Sequence, residues 1–421
     1  MPGPSRSELV SSSPSSRWNR FAVSAASFVA FAGFTLVMPF LPLYFRELGV
    51  RDVGAIALWS GLSLGATPAV TALLAPFWGR LADRFGRKIM VERSLVSFVV
   101  VMSAMAFVTA PWHVLALRLF QGLFAGYGML ALTMAADSAP PGKLATAIGT
   151  VQTAQRLGPA IGPAIGGILA ELVGLRRAFL VSASFYALGL LLVLVLYREP
   201  PTVARTGATP EAGGAAGRVT FRSVLAFENL LLLMAVIFGL QVVDRSFGPI
   251  LPLYVGQLGV ATARVPLVSG VLFSLTAVSG AAGNQACAWL LKRYTARAVI
   301  AGASVTGAAA ALAFVLLPHP WELALASVAF GLGLGTSMTA AYTAAGTVIP
   351  HEMRGTGFGF LTTASLVGLA VSPVTSGLLG SVSITAVFLA DAVALLLVAT
   401  VVWRLMAMRG GEPQQPAAEE I

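Results

Sequence analysis

Twelve long apolar runs, separated by charged residues, Pro or Gly, constrain this 421-residue chain more than any other feature. Each run has about 20 residues or more, which is the length that an α-helix needs to cross the hydrocarbon core of a bilayer. Because 57% of the residues are hydrophobic and only 10% are charged, a water-soluble core could not hide so much apolar surface. The runs therefore predict an all-α membrane protein with twelve transmembrane helices.

The predicted spans fall into two groups of six. The first group covers 21–44, 56–78, 90–110, 112–136, 145–170 and 176–197, and the second covers 228–254, 265–290, 298–317, 321–347, 355–379 and 384–406. Residues 198–227 lack apolar periodicity and are rich in Pro, Gly, Ala and Thr, so they predict a flexible cytoplasmic linker. Residues 1–20, rich in Ser and Pro, predict a disordered tail before an uncleaved first span, and 407–421 predict a second tail.

The two halves of the chain repeat each other at an offset of 210 residues. The matched residues around the first and seventh spans are Pro39, Pro42, Tyr44, Gly49 and Val50 against Pro249, Pro252, Tyr254, Gly259 and Val260. Those around the fifth and eleventh spans are Pro140, Thr146, Gly149, Gly158, Pro163 and Gly167 against Pro350, Thr356, Gly359, Gly368, Pro373 and Gly377. The repeat predicts two pseudosymmetric six-helix bundles, 21–197 and 228–406, of the kind that places a substrate site near the bilayer midplane.

The positions of the basic residues predict the orientation of the chain in the membrane. A formal net charge of +10 invites a nucleic-acid interpretation, but Lys and Arg are spread singly along apolar segments and do not collect on one polar face. Only five of the 27 lie in connections that follow odd-numbered spans, and most lie in the termini and the even-numbered connections. Lys and Arg favour the cytoplasmic side, so both termini are predicted to be cytoplasmic.

Three segments resemble motifs of the major facilitator superfamily. The connection between the second and third spans reads Gly-Arg-Leu-Ala-Asp-Arg-Phe-Gly-Arg-Lys at 79–88 and matches the signature loop of that family at every defining position. The fourth span contains Arg-Leu-Phe-Gln-Gly at 118–122, which is similar to the second family motif, and 158–167 fits the signature of the drug/proton antiporter branch. The text at 36–44 looks like bacterial multidrug exporters of the Mdt type.

The resemblance assigns a conformational latch to the signature loop. It implies that Asp83 docks against the start of the eleventh span on the cytoplasmic side, and that Arg87 pairs with Asp137 at the end of the fourth. The remaining latch residues that it implies are Gly79, Arg84, Gly86 and Lys88. An incidental Asp in a basic topogenic loop is the alternative. The corresponding sequence in the second half, 288–293, lacks the Asp and the Gly, so the resemblance does not support a second latch there.

The other two motifs imply proton transfer and helix packing. In proton-coupled members of the family the Arg of the second motif is linked to proton transfer, a role that Arg118 inherits unless it only bonds backbone carbonyls. The antiporter motif comprises Gly158, Gly162, Pro163, Gly166 and Gly167. Glycines 158, 162 and 166 share one helix face, which lets another helix approach closely, and Pro163 is predicted to bend the helix. A generic packing face of small residues is the alternative.

Proton coupling requires an acid inside the membrane. Only Asp244 and Asp391 lie well inside predicted spans, because Asp137 and Glu171 are near span ends. We predict that Asp244 carries the proton, with Arg118 and Arg156 as charge partners, since the seventh span repeats the cavity-lining first span. A static ion pair between Asp244 and Arg156 is the competing interpretation.

Substrate contacts are expected on the spans that line a central cavity. We predict them at Phe34, Met38, Gln152, Gln155, Gln241 and Phe247. Aromatic and Met surfaces with few polar anchors suit varied lipophilic ligands. Ordinary helix packing explains each of these residues equally well when it is taken alone.

These observations predict a transporter that exports small lipophilic or amphiphilic compounds in exchange for protons by alternating access. We expect a monomer in the bacterial inner membrane, with no cofactor, no metal and no nucleic-acid partner. An exporter or importer of one metabolite is the alternative. A membrane enzyme or receptor is disfavoured, because the three His residues are scattered and no soluble domain is present. An ATP-driven pump is excluded by the absence of a phosphate-binding G-x-x-x-x-G-K-[ST] sequence.

Overall fold

The computed structural model describes residues 14–139, 144–199, 229–317, 319–349 and 354–406, and within these stretches the secondary structure is helical. The helices are α1 Pro14–Leu36, α2 Leu41–Glu47, α3 Val53–Phe85, α4 Arg87–Met105, α5 Pro111–Phe124, α6 Tyr127–Asp137, α7 Leu144–Val173, α8 Leu175–Leu196, α9 Leu230–Gln257, α10 Val265–Leu290, α11 Ala296–Leu316, α12 Pro320–Val348, α13 Arg354–Val382 and α14 Ile384–Leu405. Residues 200–228 and 407–421 lie outside the described residues, so the linker and the C-terminal tail stay predictions.

The predicted all-α membrane fold is confirmed. Helices α1 and α2 together form the first span, α5 and α6 form the fourth, and each other helix forms one span. In the described part of the chain, eleven stretches are long and apolar enough to cross a membrane. The remaining predicted span is α4, whose first two turns hold Arg87, Lys88, Glu92 and Arg93 and therefore lower its mean hydropathy.

The first span differs from its predicted bounds of 21–44. Helix α1 already begins at Pro14, inside the predicted tail, and ends at Leu36 before α2 resumes at Leu41. The interruption surrounds Pro39, which has no N–H to donate and disfavours helical geometry in the residue before it. A turn replaces the helix there, and the Leu41 N–H donates to the Val37 carbonyl at 3.1 Å. A single continuous first helix was therefore a wrong prediction.

The fourth span is also broken, although 112–136 was predicted as one helix. Helix α5 ends at Phe124, Ala125 is extended, and α6 begins at Tyr127. Gly126 between them has φ +126°, a conformation that side chains rarely adopt. No Pro marks this break, so hydrophobic periodicity alone could not reveal it.

The helices cluster into two compact units. The first contains Met1–Gly213, Ser246–Ala277 and Leu369–Val387, and the second contains Gly214–Arg245, Val278–Gly368 and Phe388–Ile421. In the first unit α1 packs on α7 and α8, and α4 packs on α8, whereas in the second unit α11 packs on α12. The units do not coincide with the two halves of the sequence, and the predicted domain bounds stay a prediction.

Candidate functional site

The glycines of α7 form a contact face for α1. A methyl group added at Gly158, Gly162 or Gly166 would lie 2.7 Å from the Ala32 nitrogen, 2.6 Å from the Ala32 carbonyl oxygen and 1.8 Å from the Leu36 carbonyl oxygen, respectively. These distances leave no room for a side chain, since most of the atoms met are backbone atoms. The close helix approach predicted for this motif is present, and its partner is the first span.

The other side of α7 contacts α10, still within the first unit. A methyl group at Gly167 would meet the Pro266 carbonyl oxygen at 2.4 Å, and one at Gly270 would meet the Pro163 carbonyl oxygen at 2.3 Å. The Ala164 amide donates a 3.1 Å hydrogen bond to the Ser274 hydroxyl. Helix α7 is continuous through Pro163. The antiporter motif thus packs against two spans at once.

A matching contact joins α3 and α13. A methyl group at Gly377 would lie 2.8 Å from the Ala57 carbonyl oxygen, and one at Gly61 would lie 2.2 Å from the Pro373 carbonyl oxygen. Ala57 and Gly377 are the repeat mates of Leu267 and Gly167, which touch each other in the same way. We call the end of the molecule that carries the connections after odd-numbered spans the odd-loop face. At this face, spans from both sequence halves belong to one compact unit.

At the end of the molecule opposite the odd-loop face, the connection between α3 and α4 is one residue, Gly86, and the rest of the signature sequence 79–88 is helical. Gly86, with φ +92°, separates the end of α3 from the start of α4, and its amide donates to the Ala82 carbonyl at 3.1 Å. Arg84 is exposed, with its guanidinium over the Phe85 ring at 5.4 Å. The side chains of Gly79 and Asp83 lie outside the described residues, so the docking of Asp83 stays a prediction.

Arg87 has two acidic contacts. Its guanidinium forms an ion pair with Asp137 at the end of α6, as the resemblance implied. Its backbone amide donates to the Glu199 carboxylate at 2.9 Å. Glu199 therefore caps the N-terminus of α4, where the preceding Gly86 has no side chain and a negative charge suits the helix dipole. Sequence reasoning missed Glu199, and its only signal was an acid directly after the sixth span.

Lys88 of the signature loop and Asn19 of α1 both hold the end of the sixth span. The Lys88 ammonium donates to the Tyr197 carbonyl at 2.8 Å, and the Asn19 side chain forms two hydrogen bonds with the Arg198 backbone. Burial is the main cause that raises the pKa of Tyr197 to about 12, partly opposed by a hydrogen bond from Ser138. Tyr197 stays a neutral phenol at physiological pH, so the charge at this loop comes from its Arg, Lys and acidic residues.

Arg118 lies inside the first unit and is only 2% exposed. Its Nη1 donates to the Gln121 side-chain oxygen at 3.0 Å, and the Tyr186 hydroxyl of α8 is close enough to interact with it electrostatically. The Arg118 Nε, Gln121 Nε2 and Tyr186 hydroxyl are buried without a hydrogen-bond partner. The guanidinium is therefore held in the protein interior and away from lipid, as an intramembrane cation requires.

Asp244 lies in α9 beside Arg245. Their Oδ2 and Nε atoms are 2.9 Å apart, and the side chains are 33% and 36% exposed. The Nε–H is not directed at the carboxylate, because it makes no hydrogen bond. Adjacent residues on a helix point in different directions, so this pair is a weak restraint. The carboxylate is both inside a span and accessible.

The remaining predicted site residues differ in environment. Gln155 donates to the Gly128 carbonyl at 3.0 Å, and Gln241 accepts a 3.2 Å bond from Ser365. Phe247 is buried. Phe34 and Met38 are half-buried, whereas Gln152 and Arg156 are exposed.

A groove of about 550 Å³ runs along α1 and α7 and is lined by Ser24, Phe28, Thr146, Gly149, Thr150, Thr153, Ala154 and Leu157.

Apolar spans with tight glycine contacts, a broken first and a broken fourth span and ionisable groups inside the spans define a polytopic membrane protein. A sequence model of the Major Facilitator Superfamily matches residues 23–321 and 265–420. The chain belongs to that superfamily.

Two curated relatives are similar over most of this chain. One is the "Multi-drug resistance efflux pump PmrA homolog" of Lactococcus lactis subsp. lactis, which is 29% identical over 392 residues, 93% of this chain and 95% of that protein. The other is the "Multidrug resistance protein MdtG" of Enterobacter lignolyticus, 34% identical over 316 residues, 75% of this chain and 74% of that protein. The predicted resemblance to multidrug exporters of the Mdt type is confirmed.

Solved structures share the fold. A bacterial homologue of the human lysosomal transporter Spinster superposes with a TM-score of 0.76 at 17% identity, covering 93% of this chain and 97% of that one. A D-xylose–proton symporter superposes with a TM-score of 0.74 at 13% identity, covering 93% and 98%. At such identities the likeness supports the fold, not the ligand.

Proposed function

We propose that the chain is a proton-driven exporter of small lipophilic or amphiphilic compounds. The observation that carries the substrate class is the near full-length similarity to a multidrug efflux pump. Proton coupling is supported by Asp244, because an ionisable acid inside a membrane span is retained where it faces water, a ligand or a proton path. Its contact with the adjacent Arg245 is a weak restraint on the carboxylate.

Alternating access is supported by the packing at the odd-loop face. The paired glycine contacts of α7 with α10 and of α3 with α13 bring backbones together without side chains between them. Such backbone contacts close one end of a cavity. The helices can separate there by rigid-body motion, because no interdigitated side chains have to be moved first. With both termini in the cytoplasm, as predicted, the odd-loop face is the outer face of the inner membrane.

The even-numbered connections supply the latch on the other side. Arg87, Asp137 and Glu199 tie α4, α6 and the end of α8 together, and Asp83 belongs to the last turn of α3. In this proposal Asp83 engages the eleventh span when the cavity faces outward. Arg118 and Gln121 form the buried part of the proton path, and Arg156, exposed on α7, is the second cationic group that we assign to it.

We assign substrate binding to six residues of the first, fifth and seventh spans: Phe34, Met38, Gln152, Gln155, Gln241 and Phe247. Two of these amides are already oriented by hydrogen bonds, to the Gly128 carbonyl and to Ser365. Fixed amides and half-buried apolar groups offer few charged anchors, which suits ligands of varied shape. A carrier for one metabolite is the alternative.

Transport in inverted membrane vesicles tests the function. With an acid-inside pH gradient, vesicles that contain the protein should accumulate several unrelated lipophilic cationic dyes at least about tenfold faster than empty vesicles. A protonophore should abolish the difference. Accumulation that ignores the gradient would contradict proton coupling, and selective movement of one labelled sugar or nucleoside would support the alternative.

The latch predicts a separation of turnover from binding. Asp137→Asn removes the charge that holds Arg87, so the maximal transport rate should fall about fivefold or more while dye affinity changes less than about twofold. The measurement is initial dye uptake against dye concentration, together with equilibrium dye binding to purified protein. Glu47→Gln is the matched control, because it breaks an ion pair with Arg176 at the odd-loop face. Equal effects of the two substitutions would contradict a specific latch.

A further inference from the structure

The break in the fourth span leaves a helix C-terminus inside the membrane region. The last four carbonyls of a helix have no partner within it, and hydrocarbon provides none. Side chains of α3 and α4 fill this role for α5. The Gly122 carbonyl accepts from the Ala125 amide at 3.4 Å and lies 3.5 Å from the Thr71 hydroxyl, and the Trp78 indole N–H donates to the Leu123 carbonyl at 2.7 Å.

Arg93 and Ser94 donate to the carbonyl of the final residue of α5, Phe124. The Ser94 hydroxyl and the Arg93 Nη2 both donate to the Phe124 carbonyl, at 2.7 and 3.1 Å. The Arg93 guanidinium lies over the Trp78 ring, 3.4 Å from its centroid, and 5.7 Å from the Phe124 centroid. A cation therefore occupies the negative end of the α5 dipole and is stacked on an aromatic face.

This arrangement explains a charge inside the third span. An Arg in a membrane span is costly and persists where partners compensate it. Arginine is suited to the site because its planar group stacks on an indole and donates from its edge at the same time, which an ammonium cannot do. The latch and the proton site of the preceding section do not involve Arg93.

Helix α6, the second half of the fourth span, begins directly after this break. Its first residues contact the first and fifth spans, through a 3.2 Å bond between the Tyr127 and Ser27 hydroxyls and the 3.0 Å bond from Gln155 to the Gly128 carbonyl. Its last residue, Asp137, pairs with Arg87. Helix α6 thus connects a predicted substrate contact with the latch.

We propose that Arg93, stacked on Trp78, is a positioning residue that fixes the break of the fourth span and thereby the placement of α6 during transport. Gly126 supplies the conformational freedom at the break, and Arg93 removes that freedom by holding the α5 terminus. The inference rests on the proposed transport function for its effect on turnover, but its structural part does not depend on which solute moves.

Purified Arg93→Met, Arg93→Lys and Trp78→Phe proteins test this inference. Hydrogen–deuterium exchange should become about tenfold faster in peptides that cover 125–137 of Arg93→Met, since a charged hydrogen bond to the helix end is lost. Exchange in α8 should be unchanged. Dye uptake should slow about tenfold while the dye dissociation constant changes less than about threefold. Arg93→Lys should recover part of the rate, and Trp78→Phe, which keeps a ring, should show a smaller effect.

The matched control is Arg293→Met. Arg293 stacks on Trp289 at 4.3 Å and is exposed, so the control removes a similar cation–π pair that is not at a helix break. Unchanged exchange at 125–137 in both Arg93→Met and Trp78→Phe would overturn the proposal. Uniformly faster exchange that includes α8 would overturn it too, because Arg93 would then be a general stability residue. If wild-type protein moves no dye, the proposed function fails while the exchange result still decides the role of Arg93.

Discussion

Replacement of Gly166 by Ala is expected to abolish recovery of folded, monodisperse protein, whereas Gly149→Ala in the same helix leaves recovery unchanged. The added methyl group at Gly166 would lie 1.8 Å from the Leu36 carbonyl oxygen, and at Gly149 it meets nothing within 4 Å. The obstacle is backbone at the end of α1, so no side-chain rotation relieves it. Overpacking of this kind costs about 1–3 kcal/mol or more, while Ala in place of a helical Gly gains roughly 1 kcal/mol.

The intermediate positions of α7 give a graded series. Gly162→Ala meets the Ala32 carbonyl oxygen at 2.6 Å and the Thr35 hydroxyl at 2.3 Å, and Gly158→Ala meets the Ala32 nitrogen at 2.7 Å. The fraction of folded protein recovered by size-exclusion chromatography after heating in detergent should therefore fall from Gly149→Ala, the most stable, through Gly158→Ala and Gly162→Ala to Gly166→Ala, for which we expect none. Equal stability of all four would contradict the packing of α1 on this face.

Asp244→Asn is expected to abolish proton-driven uptake without preventing folding. Asn has nearly the shape of Asp but cannot gain and lose a proton, so exchange of dye for protons should fall at least about tenfold. Because the side chain is one third exposed, the substitution leaves no deeply buried orphan group. Dye accumulation under an acid-inside gradient is the measurement, and equilibrium dye binding should persist.

Asp391 is the competing acid. It is 5% exposed and lies in α14, the last span, so Asp391→Asn is the appropriate comparison. Per folded molecule, Asp391→Asn should retain pH-dependent uptake. Loss of coupling in Asp391→Asn together with normal, pH-dependent export by Asp244→Asn would transfer the proton site to Asp391 and contradict the assignment made here.

The contacts of α7 show which part of the packing could be predicted from the sequence. Glycines spaced four residues apart must share one helix face, so Gly158, Gly162 and Gly166 predicted a close helix approach. The sequence did not say which helix approaches. Likewise the resemblance implied the pair of Arg87 with Asp137, whereas the contact of Arg87 with Glu199 joins residues far apart in the chain and has no local signal.

The breaks in the first and fourth spans show the same limit. Hydropathy responds to apolar composition, which continues through 37–40 and 125–126, so each region was predicted as one helix. The break at Gly126 is stable because side chains from two other helices, Arg93 and Trp78 among them, satisfy the carbonyls that it exposes. A single-sequence pattern contains no information about such partners.

The amino-acid sequence by itself determined the membrane environment, the twelve spans, the internal repeat and the positions of the family motifs. These properties depend on local apolar length and residue spacing, because the bilayer sets the length of a span and its hydrocarbon core favours helices, which satisfy most of their backbone groups internally. Only the tertiary structure decided which helices the glycines contact, where two spans break and how Arg87, Arg93 and Arg118 are held. Those outcomes depend on donors and acceptors that distant segments bring together.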